Sequence, residues 1–370
     1  MPAEPVLSSR ALNRATLERQ LLLRRASMPV IDAVAHLVGL QAQLPLNPYL
    51  ALWSRLDRFD PNELGELLHA RRVVRIVVMR VTIHLVTADD CLVLRPLVQP
   101  AVDRELARHR DFGPALAGVD VEPIIAAARA LLAQQPLTGP KLRAALAARF
   151  ADVDPAAMAY ACRNHLALVQ VPPRGVWGRS GQVTTTTTEA WLGRPLATDP
   201  SIDDILLRYF AAFGPATAAD AATWSGLTGL GEVVERLRPQ LRPFRDERGR
   251  ELLDHPDAPR PDADTPAPPR FLPEYDNLLL SHADRSRFVT ADTRVRLFAA
   301  AGPVHGTLLQ DGCAAGVWRL DRDSRGVATL VVQLVEPVPK RATAEIEAEG
   351  RRLLGLIAAD ASGHDVRVIR

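Results

Sequence analysis

The chain has 370 residues, 47% of them apolar, 24% charged and 5% aromatic, with a formal net charge of +2. This length supports more than one hydrophobic core, and near-neutrality excludes polyanion binding through bulk charge, leaving any nucleic-acid surface to local clustering. No run of about 18 apolar residues predicts a membrane span, and Met1-Pro2-Ala3-Glu4 lacks the basic-then-apolar order of a signal peptide, so a soluble, cytoplasmic protein is expected.

Leu12, Leu17, Leu21 and Leu22 recur at helical spacing and Pro29 opens the run to Val38, so 9–38 is expected to be helical, stopping at Gly39 just before Leu40-Gln41-Ala42-Gln43. Helices are expected over 48–58 and 61–70. The β-branched runs Val73 to Arg80 and Thr82 to Val86 predict a hairpin. Helices followed by such a wing suggest a winged helix-turn-helix, after which 89–110 returns to helix.

A second unit follows the same order. Helices are expected at 121–134, 140–150 and 155–168, with Val169-Gln170-Val171 and the threonine tract from Val183 to Thr188 as its wing. A third helical set runs through Leu206 to Phe213, Thr217 to Trp224 and Glu232 to Leu237, and 241–253 could supply its strands. Three units of one grammar argue for a duplicated module.

Residues 255–270 hold six prolines interleaved with Asp and read as a linker or long surface loop. Beyond it Phe288-Val289, Thr293 to Phe298, Thr307 to Gln310, Gly316 to Leu320 and Ala328 to Val335 read as short strands. A helix over 342–358 and a strand at Val366-Arg367-Val368 complete the chain. The expected class is α+β, mainly α with β wings. It comprises three tandem winged helix-turn-helix units (1–118, 119–198, 199–265) and a β-rich C-terminal region (266–370).

Gln41 and Gln43 draw the first attention. Two amides separated by one residue can converge on one water, and an amide both donates and accepts hydrogen bonds, so the pair can orient a nucleophile without ionising. The same two residues could equally be solvated polar side chains.

Gln41-Ala42-Gln43 resembles the Gln-apolar-Gln signature of the AlkZ branch of winged-helix DNA glycosylases, whose YcaQ-like relatives carry Asp in place of the second Gln. Met79 to Val86, Gly214-Pro215-Ala216-Thr217 with Trp224-Ser225-Gly226, Phe271 to Asn277, Ser281 to Arg285, and Asp311-Gly312 with Gly316-Val317-Trp318 resemble further family segments, in order. The resemblance implies winged-helix units around a concave DNA-binding face. It also implies release of N7-alkylated purines, including bulky or crosslinking adducts of antibiotic-type alkylators, from double-stranded DNA. Gln41 and Gln43 carry over as the catalytic pair.

The chemistry is coherent. An N7-alkylguanine is already a cation, so its N-glycosidic bond breaks to expel a neutral base without a general acid. What remains is to stabilise an oxocarbenium-like sugar and place a water below C1′. Gln43 is therefore expected to confine the enzyme to labile cationic lesions. The only lysines are Lys141 and Lys340, which disfavours an amine nucleophile and favours a monofunctional glycosylase.

Arg80, Thr82 and His84 alternate along an expected strand and share one face. They suit phosphate or sugar contact beside the glutamines, or else an internal hydrogen-bond set. His282, Asp284, Arg285 and Arg287 suit a loop-stabilising ion cluster, with Arg285 as a DNA ligand because guanidinium matches phosphate geometry. A hairpin around Asp311-Gly312 is implied to probe DNA, with His305 near its start as a further contact. Cys91, Cys162 and Cys313 have no metal or disulfide spacing, and no cofactor, metal or obligate protein partner is expected of what reads as a monomer. The competing reading is a non-enzymatic winged-helix transcriptional regulator.

Overall fold

The computed structural model describes residues 4–301 and 305–370. Ser8 caps the helix Ser9–Arg19 by accepting from Ala11 N, and Val30–His36 follows Pro29. The chain then turns through Val38 (φ 52°) and Gly39 (φ 93°) into the short strand Leu40–Gln41. A β-carbon on Gly39 would lie 2.7 Å from Val86 Cγ1, so this turn admits only glycine. Gln41 thus ends an extended strand and Gln43 lies in the bend just after it, rather than both sitting at the helix end expected from sequence. Leu40 pairs with Leu85 and Gln41 with His84.

The predicted hairpin forms from Val73–Val77 and Ile83–Thr87, antiparallel. Its two arms are shorter than the β-branched runs suggest, because Met79–Val81 is a 3-10 turn in which Arg80 and Val81 are left-handed. Arg80 therefore does not share a strand with His84.

In the second unit the helices Glu122–Gln134, Gly139–Ala147 and Pro155–His165 precede strands Leu168–Gln170 and Thr184–Thr187. The first two wings merge. Arg75 pairs with Gln170 and Ile76 with Val169, giving one six-stranded sheet. The third set, Ile202–Phe213, Ala218–Ser225 and Leu230–Leu237, precedes strands Arg242–Asp246 and Glu251–Asp254. The N-terminal strand Val6–Leu7 runs parallel to the first of these.

One large core joins the first hairpin, the second wing and the third helical set through Val86, Val169, Tyr209, Phe213 and Trp224. The proline-rich stretch is a strap rather than a free linker: Arg10, Arg14 and Arg19 donate to the carbonyls of Ala263, Thr265 and Pro259. Arg19 also binds buried Asp254 through both carboxylate oxygens.

The C-terminal region is a five-stranded sheet of Arg270–Leu272, Gly306–Gln310, Cys313–Arg322, Val327–Leu334 and Gly363–Ile369. The helix Lys340–Ile357 carries the crossover to the last, parallel strand. Two strand expectations fail here. Residues 291–301 are the helix Ala291–Ala301, whose first turn is held by Thr290 Oγ1 accepting from Thr293 N, and Phe288-Val289 lies outside any strand. Local β propensity loses to that cap and to burial of Thr293 and Leu297. The architecture is α+β.

Candidate active site

Gln41, Arg80, His84 and Asn277 meet in one hydrogen-bonded set. Arg80 Nη2 donates to Gln41 Oε1 at 2.7 Å and to Asn277 Oδ1 at 2.9 Å, and lies 3.2 Å from His84 Nε2. Its Nη1 donates to the Trp224 carbonyl at 2.8 Å. A guanidinium only donates, so His84 Nε2 is the acceptor and its proton sits on Nδ1, which donates to the Thr82 carbonyl at 3.1 Å.

The set is cationic and has no anionic partner among the described residues. Among the described residues no hydrogen bond or ion pair joins a carboxylate to Arg80, Gln41, Gln43 or His84. Burial, and then the charge of Arg285, push the Arg80 guanidinium down to about 10. Burial first, and Arg80 second, push the His84 imidazole down to about 3, so it is neutral at physiological pH.

Gln43 is exposed, and its Oε1 accepts from Ile83 N at a long 3.4 Å. The peptide between the glutamines is held on both sides: Ala42 N donates to Ile83 O at 2.7 Å, and buried Arg75 donates to Ala42 O at 2.8 Å. The segment 274–277 straps the motif, with Asn277 Nδ2 donating to Gly39 O and Asn47 Nδ2 to Glu274 O. Just beyond Gln43 a groove of about 560 Å³ is lined by Leu44, Leu46, Trp177, His305, Trp318 and Arg319. A second hollow of about 420 Å³ is lined by Tyr275, Leu280, Arg285, Phe298 and His305.

The remaining expected residues divide. His84 is 0% exposed, so direct contact with a phosphate is closed to it, and its place in the internal hydrogen-bond set explains its burial. Thr82 is half-buried and donates to Met79 O. Arg285 is half-buried and its side chain makes no hydrogen bond or ion pair among the described residues; burial, then Arg294, lower its pKa. Its neighbours form the loop-stabilising cluster: Asp284 binds Arg250, His282 contacts Phe213 O, and Arg287 donates to Pro215 O.

The Asp311-Gly312 turn, expected to probe DNA, packs on one side against the N-terminal helix. Asp311 pairs with Arg10 and Arg14, and a β-carbon on Gly312 would lie 2.5 Å from Asn13 Oδ1. The turn is therefore seated on the helix Ser9–Arg19. His305, at the opposite end of that hairpin, borders both hollows.

Asn277, Trp224 and Arg75 were not among the expected site residues. Asn277 lay in a family-like segment, but nothing local links it to position 80. Asp276 beside it is structural, binding buried Arg55 through two 2.8 Å bonds.

No helix among the described residues is long and apolar enough to cross a membrane, and no cluster of three or more metal-ligating side chains occurs among them.

The fold is similar to that of Streptomyces sahachiroi DNA glycosylase AlkZ, with a TM-score of 0.79 and 20% identity over 98% of this chain and 100% of that one. No curated protein matches the sequence. The family model described as DNA glycosylase AlkZ-like matches residues 34–356, a span that contains the glutamine motif, the Arg80 turn and Asn277. The chain belongs to the AlkZ-like DNA glycosylase family and is a DNA glycosylase.

Proposed function

We propose that the protein hydrolyses the N-glycosidic bond of cationic N7-alkylated purines in double-stranded DNA, with Gln41 and Gln43 placing the attacking water. The observation that carries this reading is the pair of amides at the end of a short strand and in the bend that follows it, Gln41 bonded to a buried arginine and no carboxylate bonded to the set among the described residues. Such a site can orient water but offers no ionised general base, which suits a leaving group already activated by its own positive charge. The C1′–N9 bond breaks with its electron pair going to the cationic base, which departs neutral. The water oxygen bonds to C1′ and its proton passes to solvent.

Three winged-helix units spanning 1–118, 119–198 and 199–265 hold the duplex in this reading, and 266–370 completes the face. Arg285, half-buried near Arg80 and with no side-chain bond among the described residues, supplies a phosphate contact, with Thr82 and His305 at the rim. The open groove beyond Gln43 leaves room for bulky adducts or crosslinks, which a closed base pocket would reject. The protein acts as a monomer without a cofactor.

The test is incubation with duplex DNA carrying N7-methylguanine, reading free base and heat-labile abasic sites. Wild type is expected to release base, and Gln41→Ala or Gln43→Ala to cut release far more than DNA affinity. A wild-type protein that binds the duplex and releases nothing refutes the reading. Equal loss of release and affinity would make the glutamines binding residues.

A further inference from the structure

Two amides in one motif need not do the same work, and here their surroundings differ. Gln41 is buried, with its Oε1 2.7 Å from Arg80 Nη2. Because the guanidinium has no acceptor, the amide has one orientation: oxygen toward Arg80, NH₂ away from it. Arg80 is itself fixed by Asn277 Oδ1 and the Trp224 carbonyl, and its backbone is held left-handed at φ 55°. For a residue with a β-carbon that conformation is strained. Gln43, exposed and with its side chain bound among the described residues only by the long contact to Ile83 N, keeps its oxygen exchangeable.

We infer that Arg80 is a positioning residue that divides the pair, making Gln41 the hydrogen-bond donor to the attacking water and leaving Gln43 as its acceptor. This rests on the proposed water-placing role of the two glutamines. A water held this way receives one N–H from Gln41 and gives one O–H to Gln43 Oε1, which leaves its second lone pair for C1′. Bonding to a cation withdraws electron density from the Gln41 amide and strengthens its N–H as a donor. Arg80 thus acts through Gln41 and not through the DNA backbone.

The first experiment compares Gln41→Glu with Gln43→Glu in single-turnover release of N7-methylguanine. Each replacement nearly preserves shape and keeps an acceptor but removes the donor. Gln41→Glu is expected to lose about 100-fold, the scale of one oriented donor, while Gln43→Glu stays within about 10-fold of wild type. Equal losses, or a larger loss at position 43, overturn the division.

The second experiment is Arg80→Ala, with Arg80→Lys in case the alanine variant fails to fold. Release is expected to fall by roughly 10- to 100-fold, with duplex Kd and its salt dependence unchanged, and Arg80→Ala combined with Gln41→Ala is expected to be no slower than Gln41→Ala alone. A weaker Kd with the salt slope reduced by about one makes Arg80 a phosphate contact and overturns the inference. If Gln41→Ala and Gln43→Ala both release base at the wild-type rate, the water-placing role itself fails, an outcome distinct from the other two.

Discussion

Gly226 lies directly against the backbone of Arg80: a β-carbon at position 226 would fall 3.0 Å from both N and Cα of Arg80. Gly226 ends the helix Ala218–Ser225 with φ 79°, so the third helical set reaches into the first hairpin at the turn that aims Arg80. Gly226→Ala is expected to cost about 1 kcal/mol or more from the positive φ alone and to displace the Arg80 turn. Base release per folded molecule should fall well below wild type while duplex binding persists. An unchanged rate in a folded variant would separate the helix from the site.

Gly312→Ala provides the contrasting case. Its β-carbon would meet Asn13, Leu17 and Arg14 within 2.7 Å, on a backbone at φ 79°. Overpacking of this kind costs about 1–3 kcal/mol, visible as a lower denaturant midpoint, and the rate per folded molecule should hold. A selective loss of base release at undiminished stability would instead give the turn a DNA-facing role.

Asp276 neutralises a deeply buried cation, since it and Arg55 have side chains 1% exposed. Asp276→Ala leaves the Arg55 charge uncompensated and is expected to destabilise the protein by about 3–5 kcal/mol. Urea unfolding measures this directly, and a loss below about 1 kcal/mol would show that the pair contributes little.

Acid should weaken the fold through two imidazoles. His84 and His282 are both held down to about 3 chiefly by burial. Between the ordinary histidine value of about 6.5 and that level, the unfolded chain binds protons that the folded chain refuses. The stability each contributes is therefore complete above about pH 6.5 and declines as pH falls from there toward 3, by at most about 1.4 kcal/mol per pH unit per histidine. Urea titrations at pH 7.5, 6 and 5 test this. A flat profile would mean that the rings protonate in place.

Catalysis should show no matching limb. Neither glutamine ionises, and His84 is neutral across the working range, so single-turnover release of N7-methylguanine is expected to be constant from about pH 5.5 to 8. A limb inside that window would reveal a titrating group in the mechanism. With no general acid in play, uracil and 8-oxoguanine should be poor substrates, and their efficient release would contradict the reliance on a cationic leaving group.

The amino-acid sequence by itself determined the helices with strong 3.6-residue periodicity, the β-branched hairpin, the threonine wing and the positions of Gln41 and Gln43, because each is written in contiguous residues. It also carried the family resemblance. Only the tertiary structure decided that two wings fuse into one sheet, that Gln41 ends a strand with Gln43 in the bend after it, and that Arg80 bends back to Gln41 and Asn277. The two Arg80 contacts join positions 39 and 197 residues apart. Local propensity is blind to such distances, and the left-handed turn at Arg80 and Val81 runs against what their side chains prefer. That turn forms because buried contacts from three separate segments outweigh its strain.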